Sequence, residues 1–302
     1  MATTLRAPGR TSRWRAGAGA RLRTGTSGRR QRPVVVVSRH VVLILATFVF
    51  FAPFLWMILT SLKSSSAALV YPPTLLPHHW HWGNYVDVFK VAPFGTFYLN
   101  SIIQAVASTV GQVVTSAFAG YAFARLRFPG RQVIFLILLG ALLVPFQVVF
   151  VPLVHLLAAF HWLNSYQGLI IPNIPSIFGA FLFRQFFSTF PSELEDAAAV
   201  DGASILRRFV SVVAPLSRST AGAFAILAFI YNWNNFFYQF IIVSSNRFMT
   251  VQLGLVLFQS QQTASEFNLL MAASTIAVVP VLIVFLIFQR QIVRGIMLGG
   301  LK

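Results

Sequence analysis

The chain of 302 residues holds six acidic residues, and four of them, Glu193, Glu195, Asp196 and Asp201, fall within nine positions. Between them lie Ala197, Ala198 and Ala199, so the carboxylates flank a small, flat face. Alanines let another backbone approach closely, and carboxylates pair with arginines of a partner, which is docking chemistry. A helix lying on the inner leaflet is the competing reading, but acids repel an anionic leaflet, whereas Arg207 and Arg208 further on suit one. Ser192 with Glu195 three residues later has the spacing of a capping box, so a helix is predicted to begin at Glu193 with its acids at the positive end of the helix dipole. Gly202 ends or bends it, and Ser204 caps a second short helix. That helix carries an apolar stripe of Ile205, Leu206, Phe209, Val212 and Val213, and Pro215 stops it.

A second group of residues is rich in amides and aromatics: Tyr231, Asn232, Trp233, Asn234, Asn235 and Gln239. Amides supply both donors and acceptors, and rings supply an apolar face, which is what a neutral polyol requires. The same amides tie helices together in an apolar medium. At helical spacing Asn232, Asn235 and Gln239 share a face and Trp233 points elsewhere, so Asn232 and Asn235, with Gln239, are the candidates for a solute pathway. His78, His79 and His81 have no carboxylate near except Asp87, and adjacent histidines diverge; no metal site is read there. The chain lacks cysteine, which excludes disulfides, thiol catalysis and thiolate metal sites. No G-x-x-x-x-G-K-[ST] run occurs, so there is no phosphate cradle, no cofactor is expected on this chain and no residue is a catalytic candidate.

The elements that must position these groups are set by composition. Hydrophobic residues make up 57% and charged residues 10%, with 31 phenylalanines, so lipid is the solvent for most of the chain. Six apolar stretches, at about 41–60, 101–124, 133–157, 168–190, 219–243 and 271–289, can each cross a hydrocarbon layer about 30 Å thick. The second is the most polar, with Gln104, Ser108, Thr109, Gln112, Thr115 and Ser116 plus Gly111 and Gly120, a pattern suited to close packing inside a bundle. Pro172 and Pro175 predict a kink in the fourth whose freed carbonyls must face protein or water.

The net charge of +17 invites a nucleic-acid reading, but ten arginines lie in the first 39 residues and most other cations sit at the edges of apolar stretches. That placement orients a membrane protein rather than binding nucleic acid. With six spans and the N-terminus inside, twenty of the 23 basic residues fall on the cytoplasmic side, leaving Lys63, Lys90 and Arg247 outside. Both termini are therefore expected in the cytoplasm, with residues 1–33 a disordered basic tail and 34–302 the transmembrane domain. Trp80, Trp82, Tyr85, Phe89 and Phe94 mark the outer segment as interfacial. A gradient-driven carrier needs ionisable groups in the membrane. Only His155 and Arg184 come near that requirement.

Asp196-Ala197-Ala198, three residues, Gly202, nine residues and then Val212-Val213-Ala214-Pro215 resembles the Glu-Ala-Ala loop of ABC importer permeases. Asp201-Gly-Ala-Ser204 and Pro215-Leu216 resemble its carbohydrate branch, of the maltose-permease type, as do Asn84-Tyr85, Asn100-Ser101, Tyr121-Ala-Phe-Ala-Arg-Leu-Arg-Phe-Pro-Gly-Arg131, Trp233-Asn234 and Gln289-Arg290. The resemblance covers about 34–302, with Asp196 for the usual Glu, Val212 for Ile and Ala214 for Leu. It implies an all-α, six-helix bundle of the type I ABC importer kind in a prokaryotic plasma membrane. It also implies a coupling loop at 191–217, comprising Glu193, Glu195, Asp196, Ala197, Ala198, Asp201, Gly202 and Pro215. The implied partners are a second permease, two cytosolic ATPase subunits that bind ATP and magnesium, and an extracellular binding protein delivering a sugar. A permease for a non-sugar polyol such as a glycerophosphodiester is the alternative. An anionic solute would call for a cation that the middle of these spans does not offer.

Overall fold

In the computed structural model, residues 33–260 and 266–300 are described, so apart from Pro33 the basic tail lies outside the described residues. The chain divides into Met1–Phe51 and Ala52–Lys302. The described part of the first unit is the opening of α1 (Pro33–Ser61), where Phe48, Val49 and Phe50 are exposed, as a lipid-facing helix requires. All regular structure among the described residues is helical.

The second unit continues through α2 (Asn84–Val91), α3 (Phe94–Arg125), α4 (Arg131–Ala141), α5 (Phe146–Ala159), α6 (Tyr166–Ile170) and α7 (Ile177–Thr189). It then runs through α8 (Glu193–Val200), α9 (Ile205–Arg208), α10 (Arg218–Trp233), α11 (Phe237–Ile242), α12 (Val251–Ser260) and α13 (Phe267–Gly300). Four stretches are long and apolar enough to cross a membrane: Ser38–Ser61, Phe94–Arg125, Tyr166–Thr189 and Phe267–Gln289. Two bent pairs bring the number to six if each is one span: α4 with α5, bent by 99°, and Ile205–Leu216 with α10, bent by 77°.

Two of the expected spans, the third and the fifth, are broken. The third bends at Leu142–Val144, because Pro145 pushes the residue before it out of helical geometry and cannot itself donate to the preceding turn. The fifth stops at Trp233 and restarts at Phe237. At the break, the Asn234 side chain donates to the Ile230 carbonyl at 2.9 Å, offering the backbone a partner other than the helix ladder.

The fourth span is kinked as expected. Its prolines fall in a 3₁₀ turn at Ile171–Asn173 and just before Ser176, whose hydroxyl accepts from the Gly179 N–H at 3.1 Å to restart the helix. The polar stripe of α3 reaches the freed carbonyls. Gln112 Nε2 donates to Asn173 O at 2.6 Å, Thr115 Oγ1 to Ile174 O at 3.2 Å and Ser116 Oγ to Ser176 O at 3.4 Å. A Cβ on Gly120 would meet Phe183 Cβ at 2.5 Å and the Arg184 backbone nitrogen at 2.8 Å. Only glycine lets α3 and α7 come this close.

On the segment after α1, Trp80 and Trp82 stack at 6.3 Å and remain exposed, consistent with an interfacial position. Lys63 is 2% exposed, donates to Thr74 O and lies 4.9 Å from the centre of the Trp56 ring.

Candidate functional site

The acidic loop is a helix, a tight turn and a second helix. α8 begins at Glu193, but not through a capping box: the Ser192 backbone is already helical, its side chain accepts no cap hydrogen bond, and Glu195 faces the other way. The C-terminus is closed as the glycine predicts. Gly202 has φ +80°, its N–H donates to Ala199 O at 3.0 Å and the Ala203 N–H donates to Ala198 O at 3.0 Å. These two bonds are a Schellman motif, which needs a left-handed residue at Gly202. Ser204 then caps α9 by accepting from the Arg207 N–H at 3.3 Å.

Pro215 does not stop this second helix. The chain widens into a π-helical turn at Phe209–Val213, in which the Ala214 N–H reaches back to Phe209 O, and helix continues to Leu216 before the bend at Ser217. Proline has no N–H and its ring crowds the carbonyl four residues earlier, and a widened turn accommodates both. Phe209 and Val213 are buried in a cluster with Tyr121, Phe183, Phe187 and Phe224, while Leu206 and Val210 stay exposed. The loop is thereby anchored on α3, α7 and α10.

Exposure sorts the loop residues. Glu193, Asp196, Ala197, Asp201 and Gly202 are exposed, Ala198 and Pro215 are half-buried, and Glu195 is buried. Glu195 Oε2 accepts from Tyr121 Oη at 2.9 Å, and Oε1 lies 3.2 Å from Arg125 Nε without the alignment of a hydrogen bond. Arg125 Nη2 in turn donates to Phe190 O, where α7 gives way to the loop. Nothing in the local sequence signals this set, because Tyr121 and Arg125 lie some seventy positions earlier.

The amides divide differently from the helical reading. Because α10 ends at Trp233, Asn232, Asn235 and Gln239 do not share one helical face. Asn232 is fully buried, donating to Ala228 O at 2.9 Å and Thr109 Oγ1 at 3.5 Å, while its Oδ1 has no hydrogen-bond partner. Gln239 is buried too, donating to Gln104 Oε1 at 3.3 Å and accepting from Thr250 Oγ1. Asn235 is half-buried in the break, beside exposed Asn234, which accepts from Gln252 Nε2 at 3.4 Å. Trp233 is buried and donates to Ala277 O at 3.1 Å. Among the described residues, His155 bonds the Val151 carbonyl of its own helix. Arg184 stacks its guanidinium on Phe135, 3.8 Å from the ring centre.

Residues 112–298 match the family described as binding-protein-dependent transport system inner membrane component. The sn-glycerol-3-phosphate transport system permease protein UgpE of Pectobacterium atrosepticum is 38% identical over 232 residues, 74% of this chain and 83% of that protein. UgpE of Escherichia coli O157:H7 is 33% identical over 273 residues, 88% and 97% of the two chains. A solved bacterial ABC transporter involved in import of the acidic polysaccharide alginate shares the fold, with a TM-score of 0.74 at 21% identity over 86% of this chain and 97% of that one.

Proposed function

Because the chain belongs to the inner membrane components of binding-protein-dependent transport systems, we propose that its loop 191–217 docks a separate cytosolic ATPase and converts that subunit's motion into opening and closing of a solute pathway. The observation that carries this reading is the exposed face of Asp196, Ala197 and Gly202, held by a glycine-closed turn and flanked by Glu193 and Asp201. A flat, acidic, backbone-rich surface suits a cleft lined by basic side chains. ATP and magnesium belong to that partner, and its closure rocks the permease helices as rigid bodies.

A second, related permease completes the pathway, and an extracellular binding protein delivers the solute. Both termini lie in the cytoplasm, on the strength of twenty of 23 basic residues falling on that side. The buried amides Asn232 and Gln239 and the half-buried Asn235 are proposed to border the pathway from this subunit.

For the solute, a phosphorylated polyol is the better reading than a neutral sugar, since the relatives above are permeases of sn-glycerol-3-phosphate transport systems. The cation that such an anion needs is assigned to the partner permease or the binding protein. Cells lacking this chain, with uptake of radiolabelled glycerol-3-phosphate, a glycerophosphodiester and maltose measured in parallel, test both parts. Loss of the phosphate compounds alone supports the reading, loss of maltose alone returns the sugar, and unchanged uptake of all three removes the solute assignment.

A further inference from the structure

Of the four carboxylates on the loop, one is turned inward rather than exposed. Glu195 is 6% exposed, and among the described residues no other side chain of α8 makes a hydrogen bond or an ion pair. Its two partners, Tyr121 and Arg125, occupy the last turns of α3, and Arg125 also holds the Phe190 carbonyl. The eight residues of α8 are otherwise bounded by the Pro191-Ser192 step and by Gly202 in the left-handed region.

The far end of this contact is α3 itself, a helix of 32 residues. Along it lie the bonds to the broken fourth span (Gln112, Thr115, Ser116), then Thr109 facing Asn232, then Gln104 facing Gln239. From Tyr121 to Gln104 is 17 residues, or about 25 Å of helix. One rod therefore carries the carboxylate clasp at one end and the buried amides at the other.

We infer that Glu195, with Tyr121 and Arg125, is a positioning residue for coupling: it clamps α8 to α3 so that displacement of the docked loop moves the α3 rod and the amides along it. This rests on the docking role proposed above for the loop, and it assigns Glu195 to the permease interior while Asp196 faces the ATPase. A buried ion pair is weak evidence for stability, because desolvation offsets much of the attraction, and a mechanical or registering role is its better-attested use. Removing one partner would free α8 to move without displacing α3.

The test uses the complete transporter, both permeases with the ATPase, reconstituted in proteoliposomes with its binding protein. Three quantities are read for wild type, E195A, E195Q, Y121F and D196A: ATPase retained on the permease, ATP hydrolysed, and uptake per ATP. E195A and Y121F are expected to retain the ATPase and hydrolyse ATP while losing about tenfold in uptake per ATP, the scale of a typical coupling free energy. E195Q, which can keep the tyrosine bond without the ion pair, falls between, and D196A loses the ATPase itself. Reversing both charges, R125E with E195R, recovers uptake per ATP that either single reversal loses. Should E195A fail to accumulate, Y121F, which deletes a single hydroxyl, carries the same ratio. Release of the ATPase by E195A to the extent seen for D196A, or a wild-type ratio in both E195A and Y121F, overturns the inference. A wild-type complex that takes up solute without hydrolysing ATP instead sinks the docking reading on which it rests.

Discussion

Substitution of Gly202 separates what the loop costs the permease from what it offers a partner. The backbone there has φ +80°, and a Cβ added to it meets no atom within 4 Å. A side chain at this position therefore brings no internal clash, only the cost of holding an L-residue in the left-handed region, about 1–2 kcal/mol for most residues. Asparagine tolerates that region better. The two bonds that close α8, from the 202 and 203 amides, use backbone alone and survive either change. Gly202→Asn is expected to leave the isolated permease close to wild-type stability, and Gly202→Phe to lower it by no more than about 2 kcal/mol. Under the proposed docking the two must differ far more against the ATPase, since a phenylalanine projecting from the docked surface blocks close approach. The assay is binding of purified ATPase to the permease in nanodiscs, read beside thermal unfolding of the permease alone. Gly202→Phe should weaken binding by more than about tenfold, or 1.4 kcal/mol, beyond any loss in stability. Unchanged affinity and unchanged uptake in Gly202→Phe would refute the docking assignment, because no permease-internal effect could hide so large a side chain in a filled cleft.

Other substitutions probe the scaffold. Gly120→Val places atoms where Phe183 Cβ and the Arg184 backbone nitrogen already lie within 3 Å, so the folded permease should be lost from detergent extracts, as size-exclusion profiles will show. Gln112→Leu strips the part-buried Asn173 carbonyl of this donor, and the loss should lower stability by about 1 kcal/mol in thermal unfolding. Burial lowers the Lys63 amine below its ordinary pKa, so the folded chain holds that proton less tightly than the unfolded one. Stability should consequently rise with pH between that lowered value and about 10.4, and Lys63→Met should flatten the rise in unfolding scans across that range.

Much of the bundle was legible because its signals are local and repeated. The polar stripe of α3 and the two prolines of the fourth span each made an expectation, and they turn out to satisfy one another: Gln112, Thr115 and Ser116 donate to the carbonyls around the Pro172–Pro175 kink. Gly202 was legible for the same reason, since a helix end needs a left-handed residue wherever the fold places it. The misses are contests between a local rule and a distant partner. Ser192 and Glu195 have capping-box spacing, worth about 1 kcal/mol. A carboxylate accepting from a buried tyrosine beside an arginine gains more, roughly 1.5–3 kcal/mol for a hydrogen bond to a charged group. The stronger interaction wins, the cap is left unmade, and the spacing misleads. Likewise the amides of residues 232–239 read as one helical face until backbone bonding by Asn234 and a break before Phe237 divide them.

Both misses fall on residues whose partners lie far away in the sequence. A capping box would have made α8 a self-contained helix, indifferent to the rest of the bundle. Committing Glu195 to Tyr121 and Arg125 instead ties α8 itself to the end of α3 and leaves Glu193, Asp196 and Asp201 exposed. The break in the fifth span works in the same direction. An uninterrupted helix would present its amides in fixed register, whereas the break sends Gln239 to Gln104 and leaves Asn235 half-buried. In an apolar medium, non-helical backbone persists only against protein or water. A break bordered by Asn234, Asn235 and Gln252 is therefore in keeping with the solute path proposed for these amides, which a continuous apolar helix would have no reason to interrupt.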